Sequence, residues 1–276
     1  MKHNEFKFRT FDGLSLFGQS WQPEDRPRAV VCLVHGMGEH SWRYAHAADA
    51  LTQAGYVLIS FDLRGHGKSE GPRGHTPSYE ALMRDIFSLL EVANKQFPQL
   101  PSFLYGHSLG GNLVLNYVLH YKPQLKGVIV TDPWLRLAFE PPAFKVTLGK
   151  AMNKIWPSFS QSSGLDTKAL SHDPEVVRAY ENDPLVHDHI SARMFIGIYQ
   201  SGQWALEHAS EFSLPFLLMH GGADKITSVN ASSEFAGKIT ENCTLKIWDG
   251  LYHEIHNEPD KEEVFKFLID WLDKEV

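Results

Sequence analysis

The sequence holds only 2 cysteines, Cys32 and Cys243, among its 276 residues. Two isolated thiols supply neither a disulfide framework nor a metal-ligand spacing. Cys32 sits within the apolar run Ala29–Val34, the setting of a buried structural thiol. No apolar run is long enough to cross a bilayer. The opening stretch MKHNEFKFRTFDG lacks the apolar core of a secretion signal, so the expected location is the cytoplasm. Positive charge is in deficit: 26 Lys and Arg against 33 Asp and Glu leave a net charge of -7. A field of that sign repels phosphate backbones and argues against a nucleic-acid partner. Neither a Walker motif nor a dinucleotide fingerprint occurs, so no organic cofactor is implied. His253-Glu254-Ile255-His256 lacks the H-E-x-x-H spacing of a zinc protease, and no metal is expected.

The composition is that of a globular chain, 43% hydrophobic and 21% charged. Runs 5–10 and 14–21 flank Asp12-Gly13, a hairpin signal. Near-continuous apolar runs follow at Ala29–Val34, Tyr56–Phe61, 102–105, Gly127–Thr131, 215–219 and 244–248, as in strands buried on both faces. Helical periods separate most of them, near 44–54, 78–96, 109–120, 229–239 and 261–274. This alternation predicts an α/β fold with a mostly parallel sheet covered by helices on both faces. Between Thr131 and Pro215 the rhythm breaks, with helical periods near 144–155 and Ala192–His208. A loop that long is rarely structureless. The expected division is a core of residues 1–132 and 210–276 with an inserted helical cap, or lid, at 133–209.

Gly106-His107-Ser108-Leu109-Gly110 fits G-x-S-x-G, with an apolar strand before it and a helical run after it. A serine on such a strand-to-helix turn is exposed above the sheet, and only glycine flanks avoid clashes there. Ser108 is therefore the candidate nucleophile. A serine hydroxyl needs a base, and the base needs an orienting acid. Fifteen histidines make position decisive. His253 follows the last strand and can reach over the carboxyl edge of the sheet; His256 is the second choice. His220, at the end of an apolar run, reads as a packed structural residue. Asp224, in the Gly-rich turn after run 215–219, is the candidate acid, with Asp132 competing from the preceding strand end. The oxyanion donors are expected to be the amides of Leu109 and, in the loop His35-Gly36-Met37-Gly38, of Met37. Asp62, Arg64 and His66 read as loop-fixing residues.

Taken together, these segments resemble the monoacylglycerol lipase and lysophospholipase group of the α/β-hydrolase family. The matching stretches are His35-Gly36-Met37-Gly38-Glu39-His40, Asp62-Leu63-Arg64-Gly65-His66-Gly67, Gly106-His107-Ser108-Leu109-Gly110-Gly111, His220-Gly221-Gly222-Ala223-Asp224 and Tyr252-His253. Tyr180-Glu181-Asn182-Asp183-Pro184-Leu185 extends the likeness into the cap. The resemblance implies the α/β-hydrolase fold, a Ser108–Asp224–His253 triad and cleavage of fatty-acid esters, monoacylglycerol foremost. It further implies that Glu39, Arg43, His107 and Tyr180 lie near the alcohol end of the substrate, although His107 fits equally as packing beneath the elbow. The expected partner is a small lipid ester, with transient membrane contact through Trp134, Leu135, Leu137, Phe139 and Phe144; the oligomeric state is left open. A general carboxylesterase, lysophospholipase or thioesterase is the alternative activity, and a ligand receptor on the same scaffold a remoter one.

Overall fold

The computed structural model describes residues 1–276. The chain opens with a hairpin, β1 (Lys2–Arg9) and β2 (Ser15–Gln22). The Thr10 amide donates to the Leu14 carbonyl across a short loop, and Gly13 takes a φ of 88° that a side chain would resist. Strands and helices then alternate: β3 (Ala29–Val34), α1 (Ala45–Gln53), β4 (Tyr56–Phe61), α2 (Tyr79–Gln96), β5 (Ser102–His107), α3 (Leu109–Tyr121) and β6 (Gly127–Thr131). An excursion carries α4 (Ala143–Ile155), β7 (Ser160–Ser162), α5 (Pro174–Asn182), β8 (His189–Ser191) and α6 (Ala192–His208). The chain returns through β9 (Phe216–Gly221), α7 (Val229–Gly237), β10 (Cys243–Trp248) and α8 (Lys261–Glu275).

Eight strands form one sheet in the order β1-β2-β4-β3-β5-β6-β9-β10. Strand β2 is antiparallel to both β1 and β4, and every other pairing is parallel. Period-two alternation explains the two layers of core. In β3, Val30, Cys32 and Val34 face one core with Leu82, Ile86 and Leu89 of α2, Leu113 of α3 and Phe235 of α7. Ala29, Val31 and Leu33 face the other core with Leu51 of α1 and Leu268 and Trp271 of α8. Both faces of the sheet are thus covered, which is why its strands read as unbroken apolar runs.

Local capping sets where the helices start. Ser78, Ser191 and Ser228 each accept a hydrogen bond from a backbone amide three residues on, opening α2, α6 and α7. Asp173 caps α5, with Pro174 in its first turn. The helical periods predict only α4 and α6 in this region, and the Asp-Pro start is the signal for α5. The small β7–β8 ladder is too short and polar to show a strand period. No helix is long and apolar enough to cross a membrane.

Candidate active site

Three loops at the carboxyl edge of the sheet meet at Ser108. The serine sits between β5 and α3 at φ 53° and ψ -114°, outside the region an L-residue prefers. Its backbone is held there from both sides. The Ser108 amide donates to the Thr131 carbonyl at 3.0 Å, and its carbonyl accepts from Asn112 and Trp134, each at 3.0 Å. A side chain at Gly110 would overlap the Val34 carbonyl, and one at Gly106 the Gly110 carbonyl, so the tight turn demands both glycines. Ser108 is only 6% exposed.

The structure brings together the three side chains that chain order singles out. His253 Nε2 lies 2.9 Å from Ser108 Oγ, and His253 Nδ1 lies 2.7 Å from Asp224 Oδ2. Asp224 is surrounded by donors. Its Oδ2 also accepts from Thr227 Oγ1 at 2.7 Å and faces His220 Nε2 at 3.1 Å. Its Oδ1 accepts from the amides of Ile226 and Thr227 at 2.7 and 3.1 Å. Burial alone would raise the Asp224 carboxyl, but the adjacent His253 and these donors hold it well below the usual carboxylate range. For His253 burial pushes downward, yet the Asp224 carboxylate, aided by Glu254 and Glu39, outweighs it and leaves the imidazole above its ordinary value. An anionic acceptor at Nδ1 places the proton there, so Nε2 is free to accept the serine proton.

Met37 and Leu109 flank the serine. Leu109 opens α3, so its amide has no acceptor within the helix and lies at the positive end of the dipole. The Met37 amide donates to no backbone carbonyl. Its loop is tied down on both sides. The Gly36 amide donates to Glu39 Oε1 at 2.6 Å, while the Gly38 carbonyl accepts from the His187 amide at 2.9 Å. Gly38, at φ 79°, has no room for a side chain against the His187 carbonyl.

A cavity of about 250 Å³ opens over Ser108. Met37, Trp134, Leu137, Phe139, Leu165, Ile190 and Phe195 form its apolar wall, and Glu39, His107, Tyr180 and His187 belong to its polar wall. Three of the four residues expected near the alcohol end of a substrate therefore line it. Arg43 does not: its guanidinium turns away to Glu39 and Glu254 and lies over the Tyr180 ring, drawn by two buried carboxylates. His107 is both a wall residue and a packed one, with Nδ1 3.0 Å from Thr131 Oγ1; burial and the neighbouring His253 push it down to about 4.

The other candidates separate cleanly. His256 is buried, stacks on Tyr44 and makes no hydrogen bond through its ring, so it does not compete for Ser108. Asp132 is buried without touching His253. Its Oδ1 accepts from the Gly221 amide, and burial with nearby Asp224 pushes its carboxyl well above the usual range. Asp132, His220 and Asp224 gather their ligand atoms closely enough for a metal ion. Asp224 is already saturated by donors there, which a cation would displace. Asp62 accepts from the Ser41 and Lys68 amides, and Arg64 pairs with Asp85 and Asp12; both fasten loops beside the site.

Two contributions go beyond what the sequence pattern predicts. His220 is expected only to pack, yet it reaches the acid directly. Glu254 joins the site as the partner of Arg43; an acidic residue next to the base, in a loop with apolar neighbours, is the legible signal for such a buried ion pair.

Comparison with known proteins agrees with this architecture. The family described as serine aminopeptidase, S33, matches residues 25–260. An abhydrolase domain-containing protein of Dictyostelium discoideum is 37% identical over 97% of this chain, which spans 28% of that protein's length. A monoacylglycerol lipase of Mycolicibacterium smegmatis is 33% identical, over 98% of this chain and 96% of the relative. The crystal structure of a monoacylglycerol lipase from Paleococcus ferrophilus superimposes with a TM-score of 0.85 at 36% identity, with 100% of each chain covered. With its sheet order, its elbow and these likenesses in agreement, the chain belongs to the α/β-hydrolase family, in the group of the monoacylglycerol lipases.

Proposed function

We propose that the protein hydrolyses monoacylglycerols through an acyl-enzyme on Ser108, with His253 as base and Asp224 as the acid that orients it. The observation that carries this reading is the unbroken chain from Ser108 Oγ to His253 Nε2 at 2.9 Å and from His253 Nδ1 to Asp224 Oδ2 at 2.7 Å. His253 takes the hydroxyl proton as Oγ attacks the ester carbonyl. The amides of Met37 and Leu109 hold the oxyanion, where preorganised donors contribute most. The imidazolium then protonates the departing glycerol. Water, activated by the same nitrogen, attacks the acyl-enzyme and releases the fatty acid.

The substrate follows from the cavity and the relatives. Its apolar wall suits an acyl chain, and an adjoining cavity of about 410 Å³ shares Leu137, Phe139, Ile190 and Phe195, extending the apolar path beneath α4. The polar wall of Glu39, His107 and Tyr180 suits a small alcohol. The lipase names of the relatives favour glycerol as that alcohol. The matched family's description names a peptidase. A peptide's free ammonium group calls for a carboxylate; of the four that line the cavity, Glu39 and Glu254 are matched by Arg43, while Asp166 and Asp188 are exposed and outside any ion pair, so an aminoacyl anilide tests this alternative.

Residues 133–209 act as the cap in this reading. Leu135 turns inward and Trp134 and Leu137 serve the cavity, while Phe139 and Phe144 are exposed. They are joined by exposed Leu148, Ile155 and Trp156 on or beside α4, whose Lys145, Lys150 and Lys154 add positive charge. An apolar face flanked by lysines suits transient docking on an anionic membrane surface. The test is fatty-acid release from mono-, di- and triolein, oleoyl lysophosphatidylcholine and an aminoacyl anilide. Monoolein should be cleaved fastest; faster release from the lysophospholipid or the anilide would replace this substrate assignment.

A further inference from the structure

The oxyanion loop and the base come from opposite ends of the chain, and one buried side chain spans them. Arg43 Nη1 donates to Glu39 Oε2 at 2.7 Å and to Glu254 Oε1 at 2.6 Å, while Nη2 donates to Glu254 Oε2 at 2.7 Å. All three side chains are 10% exposed or less. Each carboxylate is in turn wired to one half of the site. Glu39 Oε1 accepts from the Gly36 amide, the residue before Met37, and from the Tyr44 hydroxyl. Glu254 follows His253 directly, its amide donates to the Leu170 carbonyl at 2.8 Å, and its Oε2 accepts from Asn257. The Arg43 guanidinium also lies 4.7 Å from the centre of the Tyr180 ring, which lines the cavity.

We propose that Glu254 is a positioning residue: through Arg43 and Glu39 it sets the separation between the oxyanion donor Met37 and the base His253. This rests on the roles given above to Ser108, His253 and Met37. The geometry supports it over simple loop anchoring for two reasons. The two-oxygen grip on a planar guanidinium fixes direction as well as distance. The clamp also ties the two loops directly to each other, with Glu39 braced in turn by the buried Tyr44. A buried cation between two carboxylates carries one net negative charge, and that charge lies beside the imidazole. The charged and titratable groups around His253 are Asp224 and His220 from the end of β9, His107 from β5, Glu39 and Arg43 from the oxyanion side, and Glu254 and His256 on its own loop. Among them Asp224, Glu254 and Glu39 favour the imidazolium.

Two variants separate position from charge, measured with a soluble short-chain p-nitrophenyl ester. Glu254→Gln leaves a balanced Arg43–Glu39 pair, so the fold should survive, but the amide nitrogen cannot accept and the two-oxygen grip becomes one bond. Its kcat should fall by about 10- to 100-fold with KM little changed, as expected when reacting groups are displaced by a fraction of an ångström. The acid limb of its kcat/KM profile should move to lower pH, because a charge favouring the imidazolium is gone. Arg43→Lys keeps every charge and loses the planar fork. Its kcat should fall while the acid limb stays in place. A Glu254→Gln enzyme with unchanged kcat overturns the proposal, wherever its acid limb lies. Should that variant fail to fold, undiminished kcat in Arg43→Lys overturns it equally. Turnover persisting in Ser108→Ala would instead strike at the underlying triad, so the two failures are distinguishable.

Discussion

Replacing Asp224 with asparagine changes one atom, and the structure dictates which way the new amide turns. Oδ1 receives two backbone amides, from Ile226 at 2.7 Å and Thr227 at 3.1 Å, and a backbone N–H cannot become an acceptor. The asparagine carbonyl must therefore occupy that site. Its NH₂ is forced to the other, opposite His253 Nδ1, Thr227 Oγ1 and His220 Nε2. Thr227 can rotate its hydroxyl, and His220 can exchange tautomers against Ser232 Oγ at 2.7 Å. His253 can satisfy the amide only by presenting a bare Nδ1, which moves its proton to Nε2, facing Ser108. It can then no longer accept the serine proton. The loss expected for a wrong-tautomer histidine is about 10,000-fold in kcat, or about 5 kcal/mol of barrier. The side chain keeps its shape, so the chain should still fold cooperatively, with a lower thermal midpoint because the folded site stabilises the Asp224 anion that is lost. The assay is p-nitrophenyl ester turnover beside a melting curve. A correctly folded Asp224→Asn protein that loses less than about 10-fold in kcat would refute the tautomer argument.

Further expectations follow from single residues. The raised His253 means that the basic imidazole is lost as pH falls through a value above the ordinary 6.5, so the acid limb of kcat/KM should lie above 6.5; a limb below it would contradict the balance drawn here. Arg64→Met leaves the buried Asp85 without its partner and should cost about 3–5 kcal/mol in denaturant unfolding. Asp85 is already raised to about 6 by burial, and a carboxyl raised in the folded state loses stability as pH climbs above its unfolded value, so this variant should be weaker at pH 8 than at pH 5. Gly110→Ala pushes a methyl group into the Val34 carbonyl and should destabilise by about 3 kcal/mol or prevent folding, read from the melting midpoint. Phe144→Ser with Leu148→Ser should weaken sedimentation with anionic vesicles and slow monoolein hydrolysis, while a soluble short ester is cleaved as before.

The frame of the molecule is legible in the sequence because its signals are periodic and local. Strands β3 to β6 announce themselves as apolar runs, since a sheet covered on both faces leaves no polar side to read. Ser108 is legible from its glycines, which answer to backbone overlaps at Gly106 and Gly110. Asp224 and His253 follow from their places at the ends of β9 and β10. Partnerships between distant side chains carry no such signal. Arg43 is expected beside the substrate, yet Glu254 lies 211 residues further on and pulls its guanidinium aside. His220 is expected merely to pack because its apolar run conceals that its ring reaches Asp224. Helix α5 is hard to read for another reason: at 9 residues it offers only about two and a half turns of period, and only its Asp173-Pro174 start gives it away.

The central claim is that Ser108 carries the acyl group, and the most direct measurement is monoolein turnover by Ser108→Ala beside the unaltered enzyme. The serine amide and carbonyl bonds to Thr131, Asn112 and Trp134 do not involve the hydroxyl, so the elbow should remain formed. The account predicts an intact melting curve and turnover lower by about 10⁵-fold or more. A folded Ser108→Ala protein that still releases oleate at a substantial fraction of the original rate would contradict it.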